Sequence, residues 1–379
     1  MKQRGTMVLV VPVLTVVLVS AAGQSARKLE PPPSPPQDSA ASARRAVVAS
    51  EFVFKTAPFA SAHASTIVET EEGLVAAWFG GTREGAPDVG IWLSRRLTDG
   101  WTPPVEVANG VQPDGTRRPC WNPVLFALHG AELMLFYKVG PSPQTWWGMV
   151  RTSSNNGRTW TNPSRLPDGI LGPIKNKPVR LMDGTLIASS STESPETPSK
   201  WRIHFERTND AGQTWTMASP PAADGQSPID AIQPSILVHP GRKLQAIGRT
   251  RSGRIFETWS TDNGQTWSPM TLTKLPNPNS GIDALTLRGG RHLVVYNHTA
   301  QGRSPLNIAV SRDGVLWEAA VVLEREAGEY SYPAVIQTLD GRVHVTYTWR
   351  RQRIEHVVIE PDRLTSIPMP DGVWPEEIR

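Results

Sequence analysis

One short turn recurs in this chain, and its spacing limits what the chain can fold into. It occurs as SSNNGRTW at residues 153–160, TNDAGQTW at residues 208–215 and STDNGQTW at residues 260–267. When the related turns that end at Trp101 and Trp317 are included, the five tryptophans are separated by 59, 55, 52 and 50 residues. A regular period of about 50 residues is typical of propeller blades. The repeat therefore predicts one structural unit per period.

Each unit has the same internal order of β-rich runs and turns. In the fourth unit, the runs QPSILV, LQAIGR and RIFETWS alternate with the turns HPGRK, TRSG and TDNGQ. Such runs, bounded by glycine, proline and aspartate, predict four antiparallel strands per unit. Six units begin at His63, Trp121, Lys175, Ile232, Ile282 and Tyr332. The predicted fold is all-β, a six-bladed β-propeller with four-stranded antiparallel blades; a two-sheet sandwich or a parallel β-solenoid is the alternative.

The last unit has only three runs and lacks the repeated turn. EFVFKT, at residues 51–56, precedes the first unit and has the composition of a strand. We expect this N-terminal strand to complete the last blade and close the ring, because closure protects sheet edges. The repeated turns are expected to be structural: Asp or Asn accepts backbone hydrogen bonds, and glycine supplies a positive φ.

The two ends of the chain lie outside the repeats. Lys2 and Arg4 precede an apolar stretch and then small residues, which predicts a signal peptide over residues 1–23. A proline-rich linker over residues 24–50, the propeller over residues 51–365 and a C-terminal tail over residues 366–379 are expected to follow. We expect export to the periplasm or the extracellular space, without stable membrane insertion after cleavage. An uncleaved signal anchor is the alternative.

Composition argues against several classes of function. The net charge is +4, but the basic residues are scattered and form no recognition motif, so no nucleic-acid partner is expected. The sequence has no H-x-x-x-H or paired C-x-x-C spacing, no G-x-S-x-G elbow and no phosphate loop. We therefore expect no metal site and no cofactor. Cys120 is the only cysteine, so stability must come from the core and not from an intrachain disulfide.

In an up-and-down blade, the starts of the innermost strands share a face with the loops between the second and third strands. Cations outnumber carboxylates there, and a ring mouth lined by Arg and Lys attracts anions. We therefore predict a site for an acidic sugar or another small acid on this face. Its candidate residues are Arg83, Glu84, Asp88, Glu193, Arg249, Arg251, Arg254 and Arg303 from the loops, and His63, Trp121, Asn122, Lys175, Lys177, Gln233, Asp283, Tyr330 and Tyr332 from the inner starts. The alternatives are solvated loop positions for the single cations and core packing for the tyrosines.

The repeated turns are Asp boxes, and residues 51–364 resemble the sialidase (neuraminidase) superfamily, in its divergent sialidase-like branch with Asp-box (BNR) repeats. RSPLNIAVSRDG is similar to a sialidase segment in which an Arg, here Arg303, precedes the Asp-box Ser by eight residues. This implies that Arg303 binds the substrate carboxylate. EYSYPAVIQTLDG carries a Tyr-Ser pair like that of the sixth sialidase blade, which implies Tyr330 as the nucleophile. Arg254 is a looser counterpart of a further sialidase arginine, and Arg249 and Arg251 compete with it.

Other positions depart from the sialidase pattern. His63 stands where sialidases have an Arg-Ile-Pro stretch, and no glutamate lies near ILVHPG, where they place the one that assists the nucleophile. Glu84 or Asp88 is the candidate general acid, and Glu193 the candidate base for the tyrosine. Because adjacent strand residues point to opposite faces, Glu329 should point away from Tyr330, whereas Tyr330 and Tyr332 should share a face.

The predicted function is an exported sialidase-like glycoside hydrolase that removes an acidic or unusual terminal sugar from a glycan. The first alternative is a polysaccharide lyase acting beside a uronate, in which Lys175 and Lys177 neutralise the carboxylate and Tyr330 or His63 moves the proton. The second is a non-catalytic sugar-binding propeller, because one fold hosts many functions. The expected partner is a glycan or an acidic sugar; the sequence does not predict the oligomeric state.

Overall fold

The computed structural model describes residues 46–128, 131–210 and 212–378. These residues form six antiparallel sheets around a ring, with helix limited to single short turns, which confirms the predicted six-bladed β-propeller. The predicted signal peptide, residues 1–23, and most of the predicted linker, residues 24–45, lie outside the described residues. None of the described helices has the length and apolar character needed to cross a membrane.

The first three blades follow one another along the chain, after a strand that belongs to the last blade, β1 (Val47–Phe52). Blade one contains β2 (Ser61–Thr70), β3 (Gly73–Gly81), β4 (Gly90–Leu97) and an interrupted outer strand, β5 (Gly100–Trp101) and β6 (Val105–Ala108). Blade two contains β7 (Cys120–Ala127), β8 (Leu133–Val139), β9 (Trp147–Ser153) and β10 (Ser164–Arg165). Blade three contains β11 (Val179–Arg180), β12 (Leu186–Glu193), β13 (Trp201–Thr208) and β14 (Thr216–Ala218).

The other three blades continue in the same order. Blade four contains β15 (Ala231–Val238), β16 (Leu244–Thr250), β17 (Arg254–Ser260) and β18 (Thr271–Pro276). Blade five contains β19 (Asp283–Thr286), β20 (His292–Tyr296), β21 (Leu306–Ser311) and β22 (Trp317–Glu324). Blade six contains β23 (Tyr330–Gln337), β24 (Val343–Trp349), β25 (Arg353–Ile359) and β1. The chain ends with β26 (Ile367–Pro368) and 3-10 turns at Pro361–Arg363, Pro370–Gly372 and Glu376–Ile378.

Strand β1 pairs with β25 and closes the ring, as predicted. It begins four residues before the expected segment 51–56, inside the segment that the sequence suggested was linker. The strand also ends before residue 56, because the apolar residues that follow it pack against blade one. Phe54 leaves the sheet and stacks on Trp78 of blade one, with ring centroids 4.8 Å apart. EFVFKT is therefore divided between strand pairing and packing against the next blade.

The residues that the sequence separates as a tail pack onto blade five. Strand β26 pairs with β22, and Ile367 lies opposite Ala319. Met369, Trp374 and Ile378 are buried in the core of the same blade. The described part of this segment is therefore integral to the propeller, because its apolar side chains cover an otherwise exposed outer strand.

The Asp boxes fasten neighbouring blades together. In blade four, Asp262 Oδ1 accepts a hydrogen bond from the Ser260 hydroxyl at 2.8 Å and from the Thr266 N–H at 3.0 Å. Trp267 at the end of the turn stacks on Phe205 of blade three, with centroids 3.7 Å apart. The carboxylate thus holds the turn, and the indole anchors it to the preceding blade.

Four of the innermost strands, β2, β7, β15 and β23, carry a bulge near their start. The residues of these bulges that have a positive φ are Ala64 (55°), Asn122 (41°), Gln233 (56°) and Tyr332 (52°). The last three precede a proline, which has no N–H to donate and is tolerated on the unpaired inner edge. A bulge adds a residue and redirects a side chain, and at β23 it turns Tyr332 toward the other blades.

Candidate functional site

Tyr332 lies within a cluster to which four blades contribute. Arg249 of blade four donates from Nη1 to the Tyr332 hydroxyl oxygen at 2.8 Å. The guanidinium carbons of Arg249 and Arg303, the latter from blade five, lie 5.5 and 5.6 Å from the centroid of the Tyr332 ring. The ring centroid of His63, from blade one, is 4.2 Å from the same point. The core of the site is therefore a phenol between two guanidinium groups and an imidazole.

Arg351, in the turn between β24 and β25, adds a third guanidinium. Its Nε donates to Glu329 Oε1 at 2.5 Å, and Arg303 Nη1 donates to the same oxygen at 3.3 Å. Arg351 also forms an ion pair with Glu84. Burial alone would lower the pKa of Arg351, but the two carboxylates raise it. Glu329 and Glu84 therefore balance part of the positive charge and fix the arginines in place.

His63 is uncharged within this cluster. It is 1% exposed, and its Nδ1 forms a hydrogen bond with Thr348 Oγ1 at 2.9 Å. Its Nε2 has no hydrogen-bond partner among the residues that the structure describes. Burial lowers the pKa of His63 well below 6.5, and the charges of Arg351, Arg303 and Arg249 lower it further. The imidazole is therefore neutral at pH 7 and retains one nitrogen for a ligand or a proton.

The candidate lysine Lys175 contacts the scaffold. It is 2% exposed, and its Nζ donates to the Asn176 side chain and to the carbonyl oxygens of Ile282 and Pro333. Burial lowers the pKa of Lys175 to about 7. All three N–H donors of the ammonium have acceptors, so this residue joins blade three to blades five and six instead of projecting to a substrate.

Lys177 and Asp283 form a second joint between blades. Lys177 Nζ lies 2.9 Å from Asp283 Oδ2. Asp283, which is 2% exposed, also accepts hydrogen bonds from the Ser235 hydroxyl and the Val335 N–H, each at 2.8 Å. These contacts connect blades three, four, five and six, so both residues serve the scaffold.

Tyr330 lies apart from the cluster. Its ring is 1% exposed and packs in the core with Leu306 and Tyr347, and its hydroxyl accepts a hydrogen bond from Arg350 Nη2 at 3.2 Å. The expectation that Tyr330 and Tyr332 share a face is wrong, because the β23 bulge interrupts the alternation between them. The Glu329 side chain bonds to the arginines of the cluster and not to Tyr330, as strand alternation predicts.

The candidate carboxylates have three different environments. Asp88 accepts hydrogen bonds from the hydroxyl and the N–H of Thr82, at 2.6 and 2.8 Å, and the hydroxyl contributes most to lowering its pKa. It therefore stabilises its own loop, where Arg83 is exposed. Glu84, in the same loop, reaches the cluster through Arg351. Glu193 accepts a hydrogen bond from Trp201 Nε1 at 3.1 Å, and burial raises its pKa.

The remaining candidates differ in their burial and in their hydrogen-bond partners. Trp121 donates from Nε1 to the Gly140 carbonyl at 2.8 Å and is buried. Gln233 is buried at its bulge, and its Oε1 has no partner within the described ranges. Asn122 is buried at the corresponding position of blade two. Of the three competing arginines, only Arg249 contacts Tyr332, whereas Arg251 and Arg254 are exposed.

The sequence analysis did not single out Arg351, and it named Tyr332 as a binding candidate but assigned the nucleophile's role to Tyr330. Arg351 lies in the loop WRRQR, where three arginines stand within four residues and composition alone cannot distinguish them. Tyr332 had a clearer signal. In N-P at residues 122–123, Q-P at 233–234 and Y-P at 332–333, a residue of the innermost strand precedes a proline. An alignment of the blades on this dipeptide would have placed Tyr332, and not Tyr330, at the redirected position.

No group of three or more His, Cys, Asp or Glu side chains in the described part of the chain is arranged to hold a metal ion. The side chains of the cluster are three arginines, a phenol, a neutral imidazole and two carboxylates. Such a set binds anions and transfers protons.

Six blades around an arginine-rich centre, with Asp boxes in blades two to five, define a sialidase-like propeller. Residues 72–345 match the BNR repeat-like domain, and the chain belongs to this family. No curated protein matches the sequence.

Solved structures share the fold at low sequence identity. A Dyadobacter fermentans protein of unknown function has a TM-score of 0.67 at 19% identity, over 82% of this chain and 97% of that one. A Hadza microbial sialidase has a TM-score of 0.68 at 18% identity, over 84% and 70%. The NanB sialidase of Streptococcus pneumoniae has a TM-score of 0.65 at 12% identity, over 83% and 71%. These similarities concern the fold.

Proposed function

We propose that the protein is an exported sialidase-like glycoside hydrolase that releases a terminal acidic sugar from a glycan. The observation that carries this proposal is the convergence of Arg249, Arg303 and Arg351 on Tyr332 and its surroundings. Guanidinium groups pair with carboxylates through two parallel hydrogen bonds, and here they come from three different blades. The fold shared with known sialidases and the apolar N-terminal stretch, residues 7–19, support the activity and the export respectively.

In this proposal, Tyr332 takes the role that the sequence suggested for Tyr330. The Tyr332 oxygen bonds to the anomeric carbon while the bond from that carbon to the leaving oxygen breaks. Water then attacks the same carbon, the bond to Tyr332 breaks, and the tyrosine oxygen and the acid that protonated the leaving oxygen regain their protons. Arg249, which donates to the Tyr332 oxygen, stabilises its developing negative charge. The phenolic proton passes to His63 Nε2. The bound carboxylate favours this transfer because it offsets the positive charges that lower the pKa of His63.

The leaving oxygen needs a proton, and Glu84 is placed to supply it. It is the candidate acid that contacts the cluster, through its ion pair with Arg351. In this proposal a substrate carboxylate pairs with Arg351 in place of Glu84, and Glu84 donates the proton to the leaving oxygen. Asp88, held by Thr82, lacks this link.

The lyase alternative finds less support. It assigned Lys175 and Lys177 to the substrate carboxylate, but the first donates to three oxygens of the scaffold and the second pairs with Asp283. The arginines remain for an anion, and they suit a hydrolase or a binding protein equally. Product analysis distinguishes these functions.

The test compares Tyr332→Phe with Tyr330→Phe, which removes the same hydroxyl group from a residue outside the cluster. The purified protein is incubated with sialylated and uronate-containing glycans, and products are followed by mass spectrometry and ultraviolet absorbance. We expect a saturated acidic monosaccharide, lost by at least about a thousandfold in rate in Tyr332→Phe and retained in Tyr330→Phe. An unsaturated, absorbing product would establish the lyase, and saturable binding without any product would establish the binding protein.

A further inference from the structure

The face that carries the Asp boxes, opposite the arginine cluster, has exposed apolar side chains on neighbouring turns. Val238, at the end of β15, is 41% exposed. Val315 and Leu316, in the Asp box of blade five, are 55% and 72% exposed, and Leu339, in the turn between β23 and β24, is 75% exposed. Exposed apolar side chains that lie together mark contact surfaces.

The turns that carry these side chains are joined across three blades. The Gln245 side chain of blade four bonds to His239 Nε2 at 3.1 Å and donates to the Gly314 carbonyl of blade five at 2.8 Å. Arg288 of blade five donates from Nη1 to the Leu339 carbonyl of blade six at 3.0 Å. One surface therefore results, which we call the four-turn patch; it consists of residues 238–243, 287–291, 311–317 and 338–342.

The four-turn patch is basic. Its turns carry Arg242, Lys243, Arg288, Arg291, Arg312 and Arg342, against the carboxylates Asp313 and Asp340. Both carboxylates bond within their own turns: Asp313 accepts from the Leu316 N–H at 2.8 Å, and Asp340 pairs with Arg342 at 3.5 Å. Glu69 of blade one borders the patch, where it accepts the Leu339 N–H at 2.8 Å and burial raises its pKa. The excess of positive charge attracts an anionic surface.

The described chain enters the propeller beside this patch. The Ala46 carbonyl accepts the Glu360 N–H at 2.9 Å, just after β25 ends on the Asp-box face. Ala46 also packs in the same core cluster as Leu287 of the patch. In the sequence, the apolar stretch at residues 7–19 precedes this point. A chain tethered through that stretch would present the four-turn patch to the membrane and direct the arginine cluster away from it.

A bilayer surface suits this patch better than a folded partner does. The apolar side chains stand on separate turn tips, and each of these turns also carries a cation: Lys243 with Val238, Arg312 with Leu316, and Arg342 with Leu339. A folded partner needs a matching recess for each tip, whereas a headgroup layer accepts apolar side chains while the cations remain level with the phosphates. Such binding depends jointly on buried apolar area and on attraction to anionic lipids.

We propose that the four-turn patch docks on a bilayer surface that contains anionic lipids. Val315, Leu316 and Leu339 enter the headgroup region, and the arginines of the same turns contact the lipid phosphates. The contact is peripheral and leaves the opposite face, with the arginine cluster, turned toward ligands beyond the membrane. It does not depend on the proposed hydrolase, and its tests involve no cleavage.

The first test attaches a polarity-sensitive fluorophore to the full chain, at Leu316→Cys in the patch or at Val105→Cys on the outer strand of blade one. Val105 is the matched control, because it is an apolar residue with 57% exposure, and the buried Cys120 does not compete for the label. On phosphatidylcholine vesicles with about 30% phosphatidylglycerol, the emission of the Leu316→Cys label should shift to shorter wavelength, and that of the Val105→Cys label should not. Equal shifts at both positions, or no shift at Leu316→Cys, would overturn the docking surface.

The second test removes single charges from the Leu316→Cys protein. The lipid concentration that gives half of the shift should rise about fivefold in Arg312→Gln and stay within about twofold in Arg254→Gln, which removes a cation from the opposite face. Equal values for the two variants, or a full shift on phosphatidylcholine alone, would overturn the recognition of anionic lipid. A shift without vesicles that grows with protein concentration would assign the patch to a second copy of this chain and overturn the bilayer contact.

Discussion

At the scale of single residues, the site contains more positively charged groups than negatively charged ones. Arg249, Arg303 and Arg351 face two carboxylates, Glu329 and Glu84, and a histidine that burial keeps neutral. The excess positive charge of the site favours the binding of an anionic ligand. The neutral state of the His63 imidazole also matters for anion binding, because a protonated imidazole would compete with the arginines for the same carboxylates.

Arg351 provides a direct test of this arrangement. Arg351→Lys keeps the charge but loses the planar fork that contacts Glu329 and Glu84, so the lysine cannot pair with a carboxylate in the same way. We expect KM for an acidic substrate, or Kd for an acidic sugar, to rise about tenfold or more. Arg254→Lys is the control, because Arg254 is exposed at the start of β17. Equal values for the two variants, by calorimetry or initial rates, would exclude Arg351 from anion binding.

At the scale of the element, the features that repeat along the chain could be predicted from the sequence, whereas a local departure from the strand pattern could not. The Asp boxes recur with a fixed offset, so blade number and strand order followed from spacing. The bulge in β23 breaks the two-residue alternation within the strand, so an extrapolation from Tyr330 to Tyr332 assigned both to one face. Side-chain direction at a bulge depends on positive φ at a non-glycine residue, here 52° at Tyr332, which strand alternation does not anticipate.

The Asp box of blade four can be tested as an element. Asp262→Ala removes the acceptor for Ser260 and Thr266 and should lower the free energy of unfolding by about 1–3 kcal/mol. Asp262→Asn should cost less, because Asn155 already fills this place in blade two, where its Oδ1 accepts from Thr159 N–H at 2.9 Å. Denaturant unfolding measures both. Equal losses in the two variants would show that the acceptor geometry is not what stabilises the turn.

At the scale of the whole molecule, the ring depends on contacts between segments that are far apart in sequence. Strand β1 joins blade six, and β26 joins blade five. The need for closure was visible in the sequence, since the last unit lacked a strand. The exact bounds of β1 and the packing of Trp374 could not be read from the sequence, because both depend on which distant apolar surfaces remain uncovered once the blades have formed. The geometry of the site also depends on the assembled ring, because its arginines come from blades four, five and six.

The closure of the ring contains a buried hydrogen-bonded chain that should respond to acid. His344 Nδ1 and His356 Nε2 are 2.9 Å apart, and His356 Nδ1 lies 3.4 Å from Glu51 Oε1 on β1. Arg96 of blade one pairs with the same carboxylate at 2.8 Å. Burial lowers the pKa of both histidines, that of His344 well below 6.5. Burial alone would raise the pKa of Glu51, but hydrogen bonds from His356 and Arg96 hold it at about 2.

These shifts give the sign of the pH dependence. Below pH 6.5 the unfolded chain binds protons at the two histidines that the folded chain does not, so the free energy of unfolding should fall as the pH falls from 7 to 5. The contribution of Glu51 is complete above its ordinary pKa of 4.5 and is lost only as the pH approaches 2. The histidines and the carboxylate should therefore act in separate pH ranges.

His344→Gln and Glu51→Gln separate the two ranges. His344→Gln removes one titrating group but keeps a polar partner for His356, so we expect a flatter decrease in Tm between pH 7 and 5. Glu51→Gln should keep much of the histidine-dependent slope but lose the additional decrease below pH 4.5, where the unfolded chain protonates this carboxylate and the folded chain does not until the pH approaches 2. Circular dichroism melts at half-unit steps in pH measure both. If His344→Gln has the same slope as the unaltered protein between pH 7 and 5, the buried histidines do not couple ring closure to protonation.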